Sequence, residues 1–233
     1  MESQHAIRRG GSRITYAFHG CQRAADQLRA QEETRRHGVL ADRITGLRLL
    51  SGIPERFQDV TFETCLRYPA AHLLVQYAAR LVEQFDERSK TGYSLLLTGP
   101  TGSGKTLVGC ALLNALILRG TAVRYLYAPD FLGLLRHHSD VEASLIEITF
   151  RELASVPCLF LDEIGLDKDT PFTEATYVRV IDSRSRSNRP TVYASNLGLA
   201  DLERTISPRG LSRLLEFSDV VQADGPDYRL ESH

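Results

Sequence analysis

Residues 99–106, Gly-Pro-Thr-Gly-Ser-Gly-Lys-Thr, satisfy the phosphate-loop pattern G-x-x-x-x-G-K-[ST] without a mismatch. Its glycines can adopt positive φ, which lets successive main-chain N–H groups point into one concave anion site. The lysine then reaches the β- and γ-phosphates of a nucleotide, and the final threonine hydroxyl ligates Mg²⁺. The predicted nucleotide contacts are Gly99, Pro100, Thr101, Gly102, Ser103, Gly104, Lys105 and Thr106.

The segments on both sides of this loop have the character that the pattern requires. Residues 93–98 form a short apolar run typical of a core strand, and residues 107–118 form an apolar stretch of helical length with little glycine and no proline. A glycine-rich surface turn is the alternative interpretation of the loop. The strand before it and the helix after it favour a nucleotide site instead.

Two acids follow a second predicted strand. Residues 158–163 read Cys-Leu-Phe-Leu-Asp-Glu, so Asp162 and Glu163 stand at the carboxyl end of a strand, where parallel α/β sheets bind ligands. We expect Asp162 to hold Mg²⁺ through water, and Glu163 to orient or deprotonate an attacking water. A strand that simply runs into a loop also often ends in acids. The position after the phosphate loop, with one strand between them, makes the nucleotide interpretation specific.

Three polar residues later in the chain are further candidates. Asn196 ends the next predicted strand, where its amide can hold a water in line; an ordinary asparagine in a turn is the alternative. Arg209 and Arg213 lie four residues apart on one helix face. They could reach the phosphates of a neighbouring subunit as an arginine finger. From the residues alone, surface ion pairs with Glu203 or Glu216 are the favoured interpretation.

The composition is that of a soluble globular protein of 233 residues, with 42% hydrophobic and 24% charged residues. A net charge of −1 argues against a strongly basic surface, so any contact with nucleic acid must be local. The basic end is the N-terminal one, because residues 1–48 contain nine arginines and five acids.

Cysteine spacing and hydropathy exclude other classes. The four cysteines contain no C-x-x-C pair, which excludes the usual zinc spacings, and their placement suits a reducing compartment. No apolar run reaches the ~18 residues that a membrane helix needs, and no signal-peptide pattern opens the chain. These features predict a cytoplasmic protein without a membrane segment.

Strand and helix patterns alternate after the phosphate loop, which is typical of a parallel sheet with helices on both faces. Residues 1–12 are polar and predicted to be disordered, and two short helices are predicted within 16–50. The predicted strands are 93–98, 122–127, 157–161, 190–194 and 219–222. The predicted helices of the core are 66–85, 107–118, 130–138, 142–153, 173–186 and 208–217, the last with Ser207 as N-cap and Pro208 at its first position.

Several of these stretches together resemble the AAA+ ATPases, and more closely the bacterial replicative helicase loaders of the DnaC type and the IstB-type transposition helper ATPases. The resemblance covers residues 51–229. The stretches that carry it are Ser-Gly-Ile-Pro-Glu-Arg-Phe at 51–57, Thr-Phe-Glu at 61–63, the phosphate loop, Leu-Asp-Glu-Ile-Gly at 161–165, Ser-Arg-Ser-Asn-Arg-Pro-Thr at 185–191, Ser-Asn at 195–196, and residues 209–214.

The resemblance implies a P-loop AAA+ domain at 51–233, preceded by a small helical segment at 1–50. The implied sheet is five-stranded and parallel, in the order 5-1-4-3-2, with helices on both faces and no C-terminal helical lid. The resemblance also implies roles for individual residues: Walker A at 99–106, Walker B at 158–163, sensor 1 at Asn196 and an arginine finger at Arg213 in preference to Arg209. Arg229 partly matches a C-terminal Ser-Tyr-Arg pattern and is a further nucleotide-binding candidate.

The resemblance implies an ATPase that uses ATP and Mg²⁺ to load a replicative DNA helicase onto single-stranded DNA. Helicase binding is assigned by position to residues 13–50, and contact with single-stranded DNA to residues 130–153, with Arg136 and Arg151 as phosphate contacts or as an ordinary solvated helix face. Self-association on ATP binding is also implied.

Three alternatives to the loader remain open. A transposition helper would keep the same ATPase. A small-molecule kinase would need an acceptor pocket and an arginine-bearing lid, and neither is visible in the sequence. A nucleotide-dependent adaptor with little turnover is disfavoured by Glu163. A GTPase is disfavoured because the sequence contains no N-K-x-D motif.

Overall fold

Five parallel strands form one sheet, in the order β2-β3-β4-β1-β5. We analysed a computed structural model, which describes residues 27–224 except 30, 33, 37, 137–142 and 168–169. The chain divides into two units, Met1–Thr45 and Gly46–His233, and the sheet lies in the second. The strands are β1 (Ser94–Thr98), β2 (Val123–Tyr127), β3 (Cys158–Asp162), β4 (Thr191–Ser195) and β5 (Ser218–Gln222). The predicted strand order is confirmed, and each predicted strand lies within one residue of an observed one.

Helices pack on both faces of the sheet, as predicted. On one face, Leu96, Leu161 and Tyr193 from the strands pack into a buried core with the helices that follow β2, β3 and β4. On the other face, a Cβ atom on Gly109 would lie 2.2 Å from the Phe160 ring. The helix after the phosphate loop can therefore lie this close to β3 only with glycine at position 109.

The helices within 38–224 are α1 (residues 38–50), α2 (Phe62–Cys65), α3 (His72–Glu83), α4 (Phe85–Thr91), α5 (Lys105–Leu118), α6 (Ala128–Arg136), α7 (Ala143–Ser155), α8 (Pro171–Arg186) and α9 (Leu199–Glu216). Short 3₁₀ turns lie at Glu55–Phe57 and Pro69–Ala71. All described residues between 27 and 50 are helical, which agrees with the predicted helical N-terminal segment, whereas residues 1–12 lie outside the described part of the chain. Among the described residues, every helix is too short or too polar to span a membrane.

The single helix predicted at 66–85 is wrong. Pro69 begins a 3₁₀ turn and α3 begins only at His72, because proline lacks an N–H and disfavours helical geometry in the residue before it. The buried face of α3 includes Leu74, Ala78 and Leu81, whereas Leu73 is exposed.

The last helix is longer than predicted and is kinked. It begins at Leu199, and Ser207 interrupts it with φ of 65°. Ser207 Oγ accepts a hydrogen bond from the Gly210 N–H at 3.3 Å, as an N-cap does, and Pro208 stands at the first position of the second part. The predicted cap at Ser207 is therefore confirmed, while the first half of α9 was missed.

The linker between α1 and α2 runs along the outer edge of the sheet. The Tyr125 N–H of β2 donates to the Ser51 carbonyl at 2.7 Å, so the linker covers part of an otherwise open strand edge. Further along, Asn114 Nδ2 of α5 donates to the carbonyls of Phe57 at 2.8 Å and Val60 at 2.9 Å. These contacts fasten the linker to the edge strand β2 and to α5, the helix that follows the phosphate loop.

A buried arginine of α8 joins the end of α7 to the start of β4. Arg184 of α8 is 1% exposed, and its guanidinium donates to Leu153 O, to Val156 O at 3.0 Å, to Pro190 O at 2.6 Å and to Thr191 Oγ1 at 2.6 Å. Burial lowers the pKa of this group to about 10. The charge is thus solvated by carbonyl dipoles at the end of α7 and the start of β4.

Replacing Arg184 by methionine is expected to lower the free energy of unfolding by about 3 kcal/mol, because it leaves buried carbonyl groups without donors. Urea denaturation measures the change. Arg186→Met, two residues on at an exposed position of the same helix, is the control and is expected to change stability by no more than about 0.5 kcal/mol. Equal midpoints for the two variants would contradict a structural role for Arg184.

Candidate nucleotide-binding site

The phosphate loop connects β1 to α5, at the carboxyl edge of the sheet, and it has the predicted conformation. Gly99, Gly102 and Gly104 all have positive φ, at 135°, 79° and 90°. At Gly99 a Cβ atom would lie 2.5 Å from the Ala223 carbonyl oxygen, so a side chain cannot be accommodated there. The loop ends at the N-terminus of α5, where free N–H groups and the helix dipole favour an anion.

Lys105 lies inside this loop. It is 5% exposed, and its Nζ donates to the carbonyl oxygens of Gly99 at 2.8 Å and Pro100 at 2.7 Å and to Ser103 Oγ at 3.3 Å. The ammonium group is therefore held next to the N–H groups at the start of α5. This arrangement of a cation and main-chain donors is one that binds phosphate.

Asp162 and Thr106 meet at the carboxyl end of β3. Thr106 Oγ1 donates to Asp162 Oδ1 at 3.3 Å, and the Tyr125 hydroxyl donates to Asp162 Oδ2 at 3.0 Å. Burial raises the pKa of Asp162 to about 6, although both hydrogen bonds act to lower it. A carboxylate and a hydroxyl side by side provide the oxygen ligands that Mg²⁺ prefers. The remaining coordination positions of the ion are then available to phosphate and water.

Glu163 and Asn196 are joined across the neighbouring strands. Asn196 Nδ2 donates to Glu163 Oε2, and Asn196 Oδ1 is buried without a hydrogen-bond partner among the described residues. Glu163 has a φ of 59°, a conformation that is strained for a residue with a side chain. Hydrogen bonds between β3 and β4 hold this turn: Ile164 N–H to the Ala194 carbonyl at 2.8 Å, and Ser195 Oγ to the Ile164 carbonyl at 2.7 Å.

A cleft of about 590 Å³ opens beside these acids. The linker, the end of β2, the start of α6 and the two acids contribute to it. Its lining residues are Gly52, Pro54, Arg56, Thr106, Tyr125, Leu126, Tyr127, Asp130, Asp162 and Glu163. Arg56 and Tyr125 are not among the site residues predicted from the sequence. The contact of Tyr125 with Asp162 depends on the register between β2 and β3. The sequence shows only that Tyr125 lies on a strand.

The structure does not bring the two candidate finger arginines to the phosphate loop of their own chain. Arg213 lines a small depression with Ser94 and Ser218, the first residues of β1 and β5, and so lies at the amino edge of the sheet. Both arginines are paired with Asp182 of α8, Arg209 at 3.6 Å and Arg213 at 3.9 Å. Arg213 also pairs with Glu216 at 3.2 Å, as the surface interpretation predicted.

The candidate DNA contacts also have protein partners. Arg136 pairs with Asp167 at 3.5 Å and donates to Thr173 Oγ1 at 3.0 Å, and Arg151 pairs with Glu147 at 3.7 Å. Arg229 lies outside the described residues.

A metal cluster built from several protein ligands is not found within the described ranges, where no three His, Cys, Asp or Glu side chains converge. Within the part of the chain that the structure describes, Cys65, Cys110 and Cys158 are free and buried. The oxygen donors of Thr106 and Asp162 instead suit a cation that arrives with a nucleotide.

Comparison with known proteins agrees with this geometry. The family model for the IstB-like ATP binding protein matches residues 18–233. The replicative helicase loader DnaC of Escherichia coli is 26% identical over 165 residues, which are 70% of this chain and 66% of that protein, so the match spans just under two thirds of the relative.

Two solved structures share the fold. A crystal structure of DnaI aligns with a TM-score of 0.63 and 20% identity, over 75% of this chain and 96% of that one. A crystal structure of the DnaC helicase loader aligns with a TM-score of 0.62 and 19% identity, over 73% and 100%. Together with the loop and the acids at the sheet edge, the family match identifies this chain as a member of the IstB-like ATP binding protein family.

Proposed function

We propose that this chain is an ATP-hydrolysing loader that delivers a replicative DNA helicase onto single-stranded DNA in the cytoplasm during replication. The observation that carries the ATPase part is the convergence of Lys105, Thr106, Asp162, Glu163 and Asn196 at one edge of the sheet. The loader part is supported by the similarity to DnaC.

In this proposal, residues 99–106 bind the phosphates of ATP through main-chain N–H groups and the Lys105 ammonium. Thr106 Oγ1 would hold Mg²⁺ directly, and the Asp162 carboxylate would hold it through water. The metal would neutralise negative charge on the bound phosphates. The buried position of Asp162 keeps this carboxylate away from competing bulk water.

Hydrolysis then depends on Glu163 and Asn196. The water oxygen forms a bond to the γ-phosphorus as the bond to the bridging oxygen of ADP breaks, and the Glu163 carboxylate receives the water proton. Asn196 holds the Glu163 carboxylate through Nδ2, and its free Oδ1 is an acceptor for the same water. The products are ADP and phosphate.

Arg213 completes the site of a neighbouring subunit. Its place at the amino edge puts the length of β1 between it and its own phosphate loop, and a five-residue strand is about 13 Å long. A guanidinium supplied by a second copy stabilises the charge that develops on the transferred phosphoryl group. Arg209, which shares Asp182 as a partner, is the second candidate. ATP binding would thereby favour self-association.

The helicase binds residues 13–50 in this proposal, and the linker that follows carries the nucleotide state toward them. Gly52, Pro54 and Arg56 line the same cleft as Thr106 and the two acids, so a change in that cleft acts directly on the linker. Contact of single-stranded DNA with residues 130–153 would require phosphates to replace Asp167 and Glu147 as partners of Arg136 and Arg151.

A role as an IstB-type transposition helper is the second candidate, and the family match over residues 18–233 favours it. One experiment separates the two functions. The full chain with ATP is passed over a size-exclusion column with the replicative helicase of the host and, in parallel, with a transposase. We expect co-elution with the helicase only; co-elution with the transposase alone would establish the second candidate instead.

Deletion of residues 1–48 is expected to abolish co-elution with the helicase and to leave binding of a fluorescent ATP analogue unchanged. Deletion of residues 1–12 is the matched control and should retain both. Helicase binding by the larger deletion would contradict the assignment to residues 13–50 and move the contact into the sheet-containing unit.

A further inference from the structure

The Asp162 carboxylate is held from two sides by side chains of different elements. From the start of α5, Thr106 Oγ1 donates to Oδ1 at 3.3 Å; from β2, the Tyr125 hydroxyl donates to Oδ2 at 3.0 Å. The Glu163 N–H adds a main-chain donor to Oδ1 at 3.1 Å. Because each oxygen has its own donor, the carboxylate is fixed against rotation about its Cβ–Cγ bond.

Tyr125 itself is firmly placed. Tyr125 pairs with Phe160 in the parallel ladder between β2 and β3, and the rings of the two residues pack edge to face with their centroids 5.5 Å apart. Its N–H donates to the Ser51 carbonyl of the linker at 2.7 Å. The phenol therefore cannot leave Asp162 without loss of ring packing or of main-chain contacts on the outer strand.

We propose that Tyr125 is a positioning residue of the Mg²⁺ site, which holds Asp162 Oδ2 so that Oδ1 stays beside the Thr106 hydroxyl. This inference rests on the proposed ATP–Mg²⁺ function. Loss of a partner that orients a metal-binding group lowers metal affinity by about 10- to 100-fold, because the group must then be ordered when the metal binds. The cation then meets two oxygen donors that are already in place.

Tyr125 also connects the metal site to the linker. The same residue that orients Asp162 through its hydroxyl binds Ser51 through its main chain, and Ser51 directly follows α1. Tyr125 therefore contacts both the Asp162 carboxylate and the first residue after α1.

The test uses the full chain, a non-hydrolysable ATP analogue and Mn²⁺ as the probe, with free Mn²⁺ measured by electron paramagnetic resonance. Tyr125→Phe keeps the ring and its contact with Phe160 but removes the donor. We expect Mn²⁺ affinity to fall about tenfold. Binding of the fluorescent analogue in EDTA, without metal, should remain unchanged, which also shows that the variant is folded.

Tyr127→Phe is the matched control. Tyr127 lies two residues along β2 and lines the same cleft, but within the described residues its hydroxyl is not bonded to Asp162. The Mn²⁺ affinity of Tyr127→Phe should stay within about twofold of the wild type, because the Tyr127 hydroxyl does not orient the Asp162 carboxylate. Equal affinities for the two variants would overturn the proposed role of Tyr125.

Asp162→Asn separates failure of this inference from failure of the function. If this variant loses Mn²⁺ affinity and Tyr125→Phe does not, the positioning role alone is wrong. If Asp162→Asn binds Mn²⁺ as the wild type does, the metal site itself is misassigned and the proposed ATPase mechanism falls with it.

Discussion

Replacing Arg213 by alanine is expected to lower ATP turnover about 10³-fold, because a guanidinium supplied in trans contributes at least that much to phosphoryl transfer. ATP binding should be unchanged, since Arg213 lies at the opposite edge of the sheet from the phosphate loop of its own chain. Steady-state phosphate release against protein concentration measures the first effect, and a fluorescent ATP analogue measures the second. Arg209→Ala should have the smaller effect.

Arg204→Ala provides the control on the same helix. Arg204 is an exposed arginine of α9 paired with Asp201, and its loss should leave turnover near the wild-type value. Wild-type turnover for Arg213→Ala at every protein concentration would remove the finger assignment.

Mixing two inactive variants tests the shared site directly. Arg213→Ala retains a nucleotide site but lacks the finger, whereas Lys105→Ala lacks the site but retains the finger. When the two are combined, Lys105→Ala subunits supply Arg213 to intact sites, so turnover should exceed that of either variant alone. Absence of any recovery would place the function of Arg213 within its own chain.

Glu163→Gln is expected to lower turnover by about 10²- to 10⁴-fold while leaving ATP bound, because an amide cannot take the proton of the attacking water. The glutamine still offers an oxygen to Asn196 Nδ2, so the local contact across β3 and β4 is retained. Single-turnover hydrolysis with excess protein measures the chemical step.

Glu174→Gln is the control for the loss of one carboxylate, since Glu174 is an exposed acid in the first turn of α8. Its turnover should match the wild type. Turnover of Glu163→Gln within tenfold of the wild type would eliminate the proposed base, and absence of turnover in the wild type as well would favour a nucleotide-dependent adaptor.

Much of the candidate site could be predicted because its parts depend on short stretches of chain. The phosphate loop is eight consecutive residues, and its three glycines have the positive φ that the pattern requires. Likewise, Ser207 and Pro208 predicted a local helix start, which depends only on a hydroxyl, an N–H three residues on and the fixed φ of proline. The approach of Glu163 to Asn196 follows from strand order, since β3 and β4 are neighbours in the sheet.

Local patterns failed where packing decided the outcome. An apolar side chain in a helix need not be buried: Leu73 of α3 is exposed, because the core lies on the side of the helix that carries Leu74, Ala78 and Leu81. Arg184 gave no signal of burial, since arginine is ordinarily exposed and its carbonyl partners come from two separate parts of the chain, the end of α7 and the start of β4.

The sequence by itself determined the phosphate loop, the two acids that follow a buried strand and the alternation that builds a parallel sheet, because backbone chemistry and hydrophobic burial act on neighbouring residues. Only the tertiary structure decided that Tyr125 contacts Asp162 and that Arg213 faces away from its own phosphate loop. The first depends on the register between two strands, and the second on the direction in which α9 returns across the sheet. Neither the register of two strands nor the direction of a helix can be deduced from a single stretch of the chain.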